Sequence, residues 1–363
     1  MRTTAIVAKN EFYRYFISPL AYVYLIGFLL LNGSFAFYFG HFFERGQADL
    51  LPMFSFQPWI YLLFVTGISM RLWAEEFRSG TILQIATLPI SVSSLVWGKF
   101  IASWLFCTVA LALTFPFWLV VNWLGAPDNA VIFAGYLGSW LLAGCMLAIS
   151  QTMSALTKNQ VIALVLSVIA NLLFFLSGLE YVLEPIRNIA SPTIVDMVAS
   201  FSFLTHFDTT VHGLFELRDL MFFAAIITLF NLTTILLVSF RTAGTTRWLK
   251  SAATADYAFA FCFMLLIFCG INLIGNTFFR NHYIDFTAEK MYTLTDSTKK
   301  VISKLQSPVT VRLYYSSVLS RKAPAARQMF DNIRLILQQY STLADGKLKI
   351  RVYDPKPLSN EED

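Results

Sequence analysis

The sequence predicts an α-helical polytopic membrane protein with a partial α/β domain at its C-terminal end, and three observations point there. Of the 363 residues, 56% are hydrophobic and only 13% charged, against about 25% charged in soluble domains. Seven apolar runs approach the roughly 20 residues a helix needs to cross a hydrocarbon core of about 30 Å. Charge is also unevenly spread: residues 1–279 hold 13 of the 27 Lys and Arg, and the last 84 hold the other 14. A boundary near Arg280 follows.

Residues 1–20 come first. Ile6, Phe12, Tyr13 and Phe16 lie among Arg2, Lys9, Asn10, Glu11 and Arg14, the pattern of an amphipathic helix in the cytoplasmic interface. The alternative is an extension of the first span, against which Pro19 argues by disfavouring helix at the residue before it. The apolar run that follows has no small-residue cleavage site, so it is expected to be a retained span.

The seven runs cover about 21–39, 57–74, 97–121, 131–154, 160–182, 219–240 and 257–279. Residues 21–240 thus form a six-span core, and 241–279 a linker and seventh span. Gly, Ser, Thr and Asn within the runs suit helices packed on one another. Asn32, Asn171 and Asn231 are expected to join helices by hydrogen bonds. Cys107, Cys145, Cys262 and Cys269 all fall inside apolar runs without Cys-x-x-Cys spacing, which makes them lipid- or core-facing fillers.

Short connections fix the orientation, because Lys and Arg accumulate on the cytoplasmic side. One alternating set holds Arg2, Lys9, Arg14, Arg71, Arg78, Lys99, Lys158, Arg241, Arg247 and Lys250; the other holds only Arg45, Arg187 and Arg218. The N-terminus is therefore expected in the cytoplasm and, after seven spans, residues 280–363 outside. Long domains are translocated largely regardless of charge, so the basic C-terminal segment is no objection.

Within that segment Val309, Val311, Leu313 and Tyr315 alternate with Thr310, Arg312 and Tyr314, predicting a strand with one buried face. A helix over about 324–342 presents Phe330, Ile333, Leu337 and Tyr340 at helical spacing, and KLKIRVYD supplies a second strand. A right-handed β-α-β crossover makes the strands parallel, and a parallel sheet needs cover and further strands. The segment reads as the beginning of a larger α/β domain.

The most informative polar stretch is 71–91, RLWAEEFRSGTILQIATLPIS, on the cytoplasmic side between the second and third spans. Arg71, Glu75 and Arg78 fall at i, i+4 and i+7 and share one helical face; Pro89 ends the helix. The stretch is either an ordinary solvated loop or a docking element for a cytoplasmic partner. Glu180 and Glu184, at i and i+4 near the outer end of the fifth span, snorkel to the interface or serve a pathway or gate. His206, Asp208 and His212 have spacing unsuited to a metal and are expected to be solvated or interfacial. No Gly-x-x-x-x-Gly-Lys-Ser/Thr loop occurs, so the chain lacks the nest and Lys that cradle nucleotide phosphates. Nothing points to nucleic acid.

The run of Arg71, paired Glu75 and Glu76, Gly80-Thr81, the Leu88-Pro89-Ile90 step and Gly98-Lys99 resembles type-two ABC exporter permeases over about residues 1–240. The resemblance implies that 71–91 is the coupling helix contacting a nucleotide-binding subunit. It carries over Arg71, Glu75, Glu76, Arg78, Gly80, Thr81, Pro89 and Lys99 as the coupling set, and places short half-entering helices in 183–218. Residues 285–315, with Tyr292-Thr293-Leu294-Thr295 as the most specific step, resemble the start of the auxiliary exported domain of gliding-motility-type ABC systems. Together they imply a permease fused to an auxiliary domain in the bacterial inner membrane, paired with a second permease core. It would be driven by a cytoplasmic ATPase dimer that holds the ATP and Mg; no cofactor or metal is expected on this chain and no enzymatic activity of its own. A non-transporting scaffold for an exported domain is the alternative. An ion channel or secondary transporter fits less well, because the spans contain few paired ionisable groups.

Overall fold

The computed structural model describes residues 2–86, 89–179, 182–183, 185, 195, 198–199, 200–242, 247–278, 283–303, 305, 307, 309–316, 324–344 and 347–353. Helix α1 (Arg2–Ile17) stops at Ser18, which is extended, and Pro19 opens α2 (Pro19–Ser34). Pro lacks the N–H that the first turn leaves unpaired, so it starts a helix at no cost. The break predicted from Pro19 is therefore present. A π-helical turn, Phe35–Phe39, continues α2.

Beyond it come α3 (Leu51–Ser69), two short helices α4 (Ala74–Ser79) and α5 (Thr81–Ala86), then α6 (Val92–Ala112), α7 (Phe115–Leu124), α8 (Asn129–Leu156) and α9 (Gln160–Leu176). Among the described residues, five helical segments are long and apolar enough to cross a membrane: Pro19–Phe39, Leu51–Ser79, Val92–Leu124, Asn129–Leu156 and Leu217–Thr242. The fifth and seventh predicted runs coincide with the shorter apolar helices Gln160–Leu176 and Cys262–Gly275.

Two predicted runs differ in detail. The run expected as one helix over 97–121 is broken between α6 and α7, because the ring of Pro116 clashes with the preceding turn and has no N–H to offer. The carbonyls exposed by the break are recaptured: Thr114 Oγ1 donates to the Leu111 carbonyl at 2.6 Å and the Tyr136 hydroxyl to that of Thr114 at 3.1 Å. The second run, expected over 57–74, begins six residues earlier at Leu51 and ends at Ser69.

Helix α8 lies at the centre, packed against α3, α6, α9 and the later helices α10 (Phe203–Val211) and α11 (Leu217–Thr242). Its Gly135, Gly138 and Gly144 allow this, since a Cβ there would sit within 2.8 Å of Phe54, Thr210 or Trp104. Buried polar side chains stitch the helices together. Asn171 Nδ2 donates to Ser150 Oγ at 2.8 Å, Gln151 Nε2 to Asn231 Oδ1 at 3.4 Å, and the Thr152 and Thr234 hydroxyls meet at 2.9 Å. Asn171 and Asn231 thus join helices as predicted. Asn32 does not; its Nδ2 donates to the Phe28 carbonyl of its own helix. Cys107 and Cys145 are buried packing residues, and Cys262 is exposed.

The bundle has two distinct ends. At one lie α4, α5 and the start of α6. At the other, a short strand β1 (Leu214–Glu216) precedes α11, and the long helix α12 (Arg247–Phe278) returns along α11 to deliver β2 (Tyr283–Asp285). β1 and β2 form an antiparallel ladder, Leu214 opposite Asp285 and Glu216 opposite Tyr283. This ladder, absent from the sequence-based expectation, attaches the segment after Arg280 directly to the core. The segment then forms α13 (Asp296–Ser303), β3 (Val309–Tyr314), α14 (Pro324–Leu343) and β4 (Leu348–Tyr353). β3 and β4 are parallel, Val309 opposite Leu348 through Tyr314 opposite Tyr353, as the β-α-β reading requires. Val311 and Leu313 face inward while Val309, expected on the same face, is exposed at the strand's start.

Candidate coupling site

Lys99 is the anchor of the first end. It sits in the second turn of α6, 3% exposed, although a lysine in an apolar run is costly to bury without a partner. Its Nζ lies 2.6 Å from Glu76 Oε1 of α4 and 3.3 Å from Glu11 Oε1 of α1, and 5.3 Å from the centre of the Trp73 ring. Arg14 adds a second cation to Glu11 at 3.2 Å. One ammonium therefore ties three helices from separate parts of the chain.

Each partner is itself positioned. α4 has no side-chain cap of its own; instead Ser154 Oγ of α8 accepts from the Trp73 and Ala74 amides at 3.1 and 3.2 Å and donates to the Met70 carbonyl at 3.1 Å. That satisfies amides every helix start leaves unpaired. Glu75 and Glu76 occupy the first turn and Arg78 the last, the arrangement favoured by the helix dipole. Gly80, at φ 75°, ends α4 in the left-handed conformation that a side chain disfavours. Behind α4, the Arg241 guanidinium of α11 lies 4.7 Å from the Phe77 ring and donates to the Leu156 carbonyl.

Helix α1 is held along α6. A Cβ on Gly98 would come within 2.6 Å of Val7, so only glycine allows the approach. Ser91 caps α6 by accepting from the Ser94 amide at 3.2 Å, and the Ser94 and Thr3 hydroxyls meet at 3.1 Å. Burial pushes the Tyr15 phenol well above its ordinary value, and its hydroxyl meets Ser103 Oγ at 2.7 Å, while Ser103 donates on to the Lys99 carbonyl.

The predicted set is thereby divided. Arg71, Glu75 and Arg78 are exposed, but Arg71 lies in the turn before α4 rather than on the shared helical face expected of it. Glu76, expected in water beside Glu75, turns inward to Lys99 and is 12% exposed; neighbouring helical positions point about 100° apart. Gly80 and Thr81 form the half-exposed joint between α4 and α5, and Pro89 is exposed ahead of the Ser91 cap. Lys99 does not merely open the third span; it is its buried charge. Glu180 and Glu184 lie outside the described residues. Glu11, Trp73, Ser154 and Arg241 were not assigned to the coupling site from sequence, yet an ammonium inside an apolar run demands a buried acid, and that demand was a legible signal.

At the opposite end, His206 is buried rather than solvated: Nδ1 lies 2.6 Å from Asp219 Oδ1 and Nε2 2.9 Å from the Ser200 carbonyl, while Thr209 donates to Asp219 Oδ2 at 2.8 Å. Asp219 has no exposure, and this arrangement holds α10 to α11. His212 is buried too, with Nδ1 2.8 Å from the Asp208 carbonyl. Both corrections have one cause: α10 packs against α8 instead of lying in solvent. Among the described residues no group of three or more His, Cys, Asp or Glu is placed to hold a metal.

Residues 9–174 match the family described as ABC-2 family transporter protein, and residues 288–363 match a domain of unknown function (DUF7088). No match was found among curated proteins or solved structures. The first match runs from within α1 to the last turn of α9, enclosing Glu11, Glu76 and Lys99. Residues 9–174 are thus similar to ABC-2 family transporter permeases, and residues 288–363 to the DUF7088 domain.

Proposed function

We propose that this chain is the membrane-spanning permease subunit of an ABC exporter, driven by a separate cytoplasmic ATPase dimer that carries the ATP and Mg. The observation that carries the reading is the two-sidedness of α4: it offers Glu75 and Arg78 to solvent, with Arg71 exposed in the turn before it, while Lys99, Ser154 and Arg241 clamp its reverse. A helix so held is a lever. Force applied to its charged face passes through Glu76 and Lys99 into α6, through Glu11 into α1, and through Ser154 into α8. The Lys and Arg asymmetry of the short connections supports a cytoplasmic N-terminus and an extracytoplasmic segment after Arg280.

Two permease cores in the inner membrane, each with its lipid boundary, would form the export pathway. The resemblance of 285–315 to gliding-motility-type auxiliary domains, together with the β1–β2 ladder, supports work on an extracytoplasmic apparatus as well as export. The test is co-expression with the candidate ATPase from the neighbouring reading frame. Glu75→Lys leaves the buried cluster intact, so the expected result is a folded permease that no longer co-purifies its ATPase, since a like-charge contact in a docked interface costs several kcal/mol. A folded variant that retains and stimulates the ATPase like the parent removes α4 as the coupling element. Failure of the parent itself to hold any ATPase would favour the scaffold alternative.

A further inference from the structure

At the end of the bundle that carries the C-terminal segment, the structure encloses a cleft of about 570 Å³. Its walls are the loop before α3, the start of α8, the end of α10 and the turn after β2. That turn is tightly built: Asp285 accepts from the amides of Thr287 and Tyr292 and the hydroxyls of Thr287 and Thr293, at 2.6 to 3.0 Å. The Ala288 amide donates to Asp128 Oδ2 of the core at 2.7 Å. Core and C-terminal segment therefore share one cavity.

The lining is one-sided in charge. Asp49, Asp128 and Glu289 contribute three carboxylates, the described lining holds no Lys or Arg, though Arg45 pairs with Asp49 from beside it, and the floor includes Phe54, Val131 and Ile132. Burial pushes the Asp49 carboxyl up from its ordinary value, against the lowering effect of the Arg45 guanidinium 3.2 Å away. The decisive group is His212, nine-tenths buried and lining the cleft, whose Nε2 has no hydrogen-bond partner. Its Nδ1 faces a carbonyl and so carries a proton, the tautomer in which Nε2 is the acceptor. A buried acceptor without a donor costs about 1–3 kcal/mol.

We infer that this cleft is a binding site for a small organic cation, an aliphatic amine whose ammonium N–H groups donate to His212 Nε2 and to the carboxylates of Asp49 and Glu289. The short apolar body lies on Phe54, Val131 and Ile132. An anion would meet three carboxylates, and an uncharged ligand would gain no charge attraction from them. Because the walls come from the core and from the C-terminal segment, the ligand bridges the two, whether or not an ATPase drives the chain.

The probe is 1,4-diaminobutane, titrated calorimetrically into the full chain in lipid nanodiscs. Saturable binding of one molecule per chain is expected, with no binding of the uncharged 1,4-butanediol. Glu289→Gln, at an exposed position, and His212→Ala should each weaken the affinity at least tenfold, while Glu44→Gln, outside the cleft, leaves it unchanged. Should His212→Ala fail to fold, Glu289→Gln decides alone. Absent saturable binding, equal binding of the diol, or a loss below tenfold in either folded variant overturns the inference.

Discussion

Replacing Lys99 with Met removes the one ammonium between Glu11 and Glu76 while keeping most of the side-chain volume. Both carboxylates reach that ammonium, so their oxygens lie within about 6 Å of each other, where two like charges repel by roughly 3 kcal/mol at an effective dielectric near 20. The two attractions are lost as well, and breaking a buried pair from one side typically costs about 3–5 kcal/mol. For a chain of this size that corresponds to a melting shift on the order of 10 °C. The assay is thermal unfolding in detergent followed by size-exclusion chromatography, with the exposed Glu75→Gln as the control, expected within about 0.5 kcal/mol of the parent. Adding Glu76→Gln to Lys99→Met removes the repulsion and should recover a large part of the loss. If Lys99→Met melts with the control, or if the second substitution recovers nothing, the three-helix clamp is not what holds α1, α4 and α6 together.

Gly98→Leu should force α1 off α6, because the new side chain meets Val7; overpacking of this kind costs about 1–3 kcal/mol, and increased proteolysis within residues 2–17 checks it. With the four native cysteines replaced, single cysteines at the exposed positions Ser79 and Thr310 should be labelled from opposite sides of sealed vesicles, Ser79 from the cytoplasmic one. Labelling of both from one side refutes the seven-span topology. The purified chain alone should hydrolyse no ATP, since its sequence has no phosphate-binding loop; turnover that survives removal of contaminating ATPases would overturn this.

Much of the fold was legible because its signals are local. Apolar runs located the helices, Pro19 marked the break between α1 and α2, and alternation together with helical spacing gave β3, α14 and β4 in their observed order. What stayed hidden depends on contacts between distant positions. Nothing beside Glu76 distinguishes it from Glu75; the difference appears only when Lys99, on another helix, needs a counter-charge. The same holds for His206, whose partner Asp219 lies across the turn between α10 and α11, and for β1 and β2, each three residues long and too short to carry a period. The break at Pro116 was legible in principle, since proline inside an apolar run interrupts it, but hydropathy alone passes over it.

The β1–β2 ladder bears on biogenesis. Its two strands bracket the α11–α12 hairpin, so in the proposed seven-span topology they would meet only once both helices had been threaded through the bilayer in opposite directions. A chain whose last span failed to insert would strand Tyr283–Asp285 on the wrong side, leave the amides and carbonyls of Leu214–Glu216 without their ladder, and keep Tyr292 from its seat beside Leu214 and Leu335. On that topology, correct insertion and completion of the C-terminal domain would be a single event, and a mis-threaded chain would expose unpaired strands and apolar surface of the kind quality-control proteases recognise.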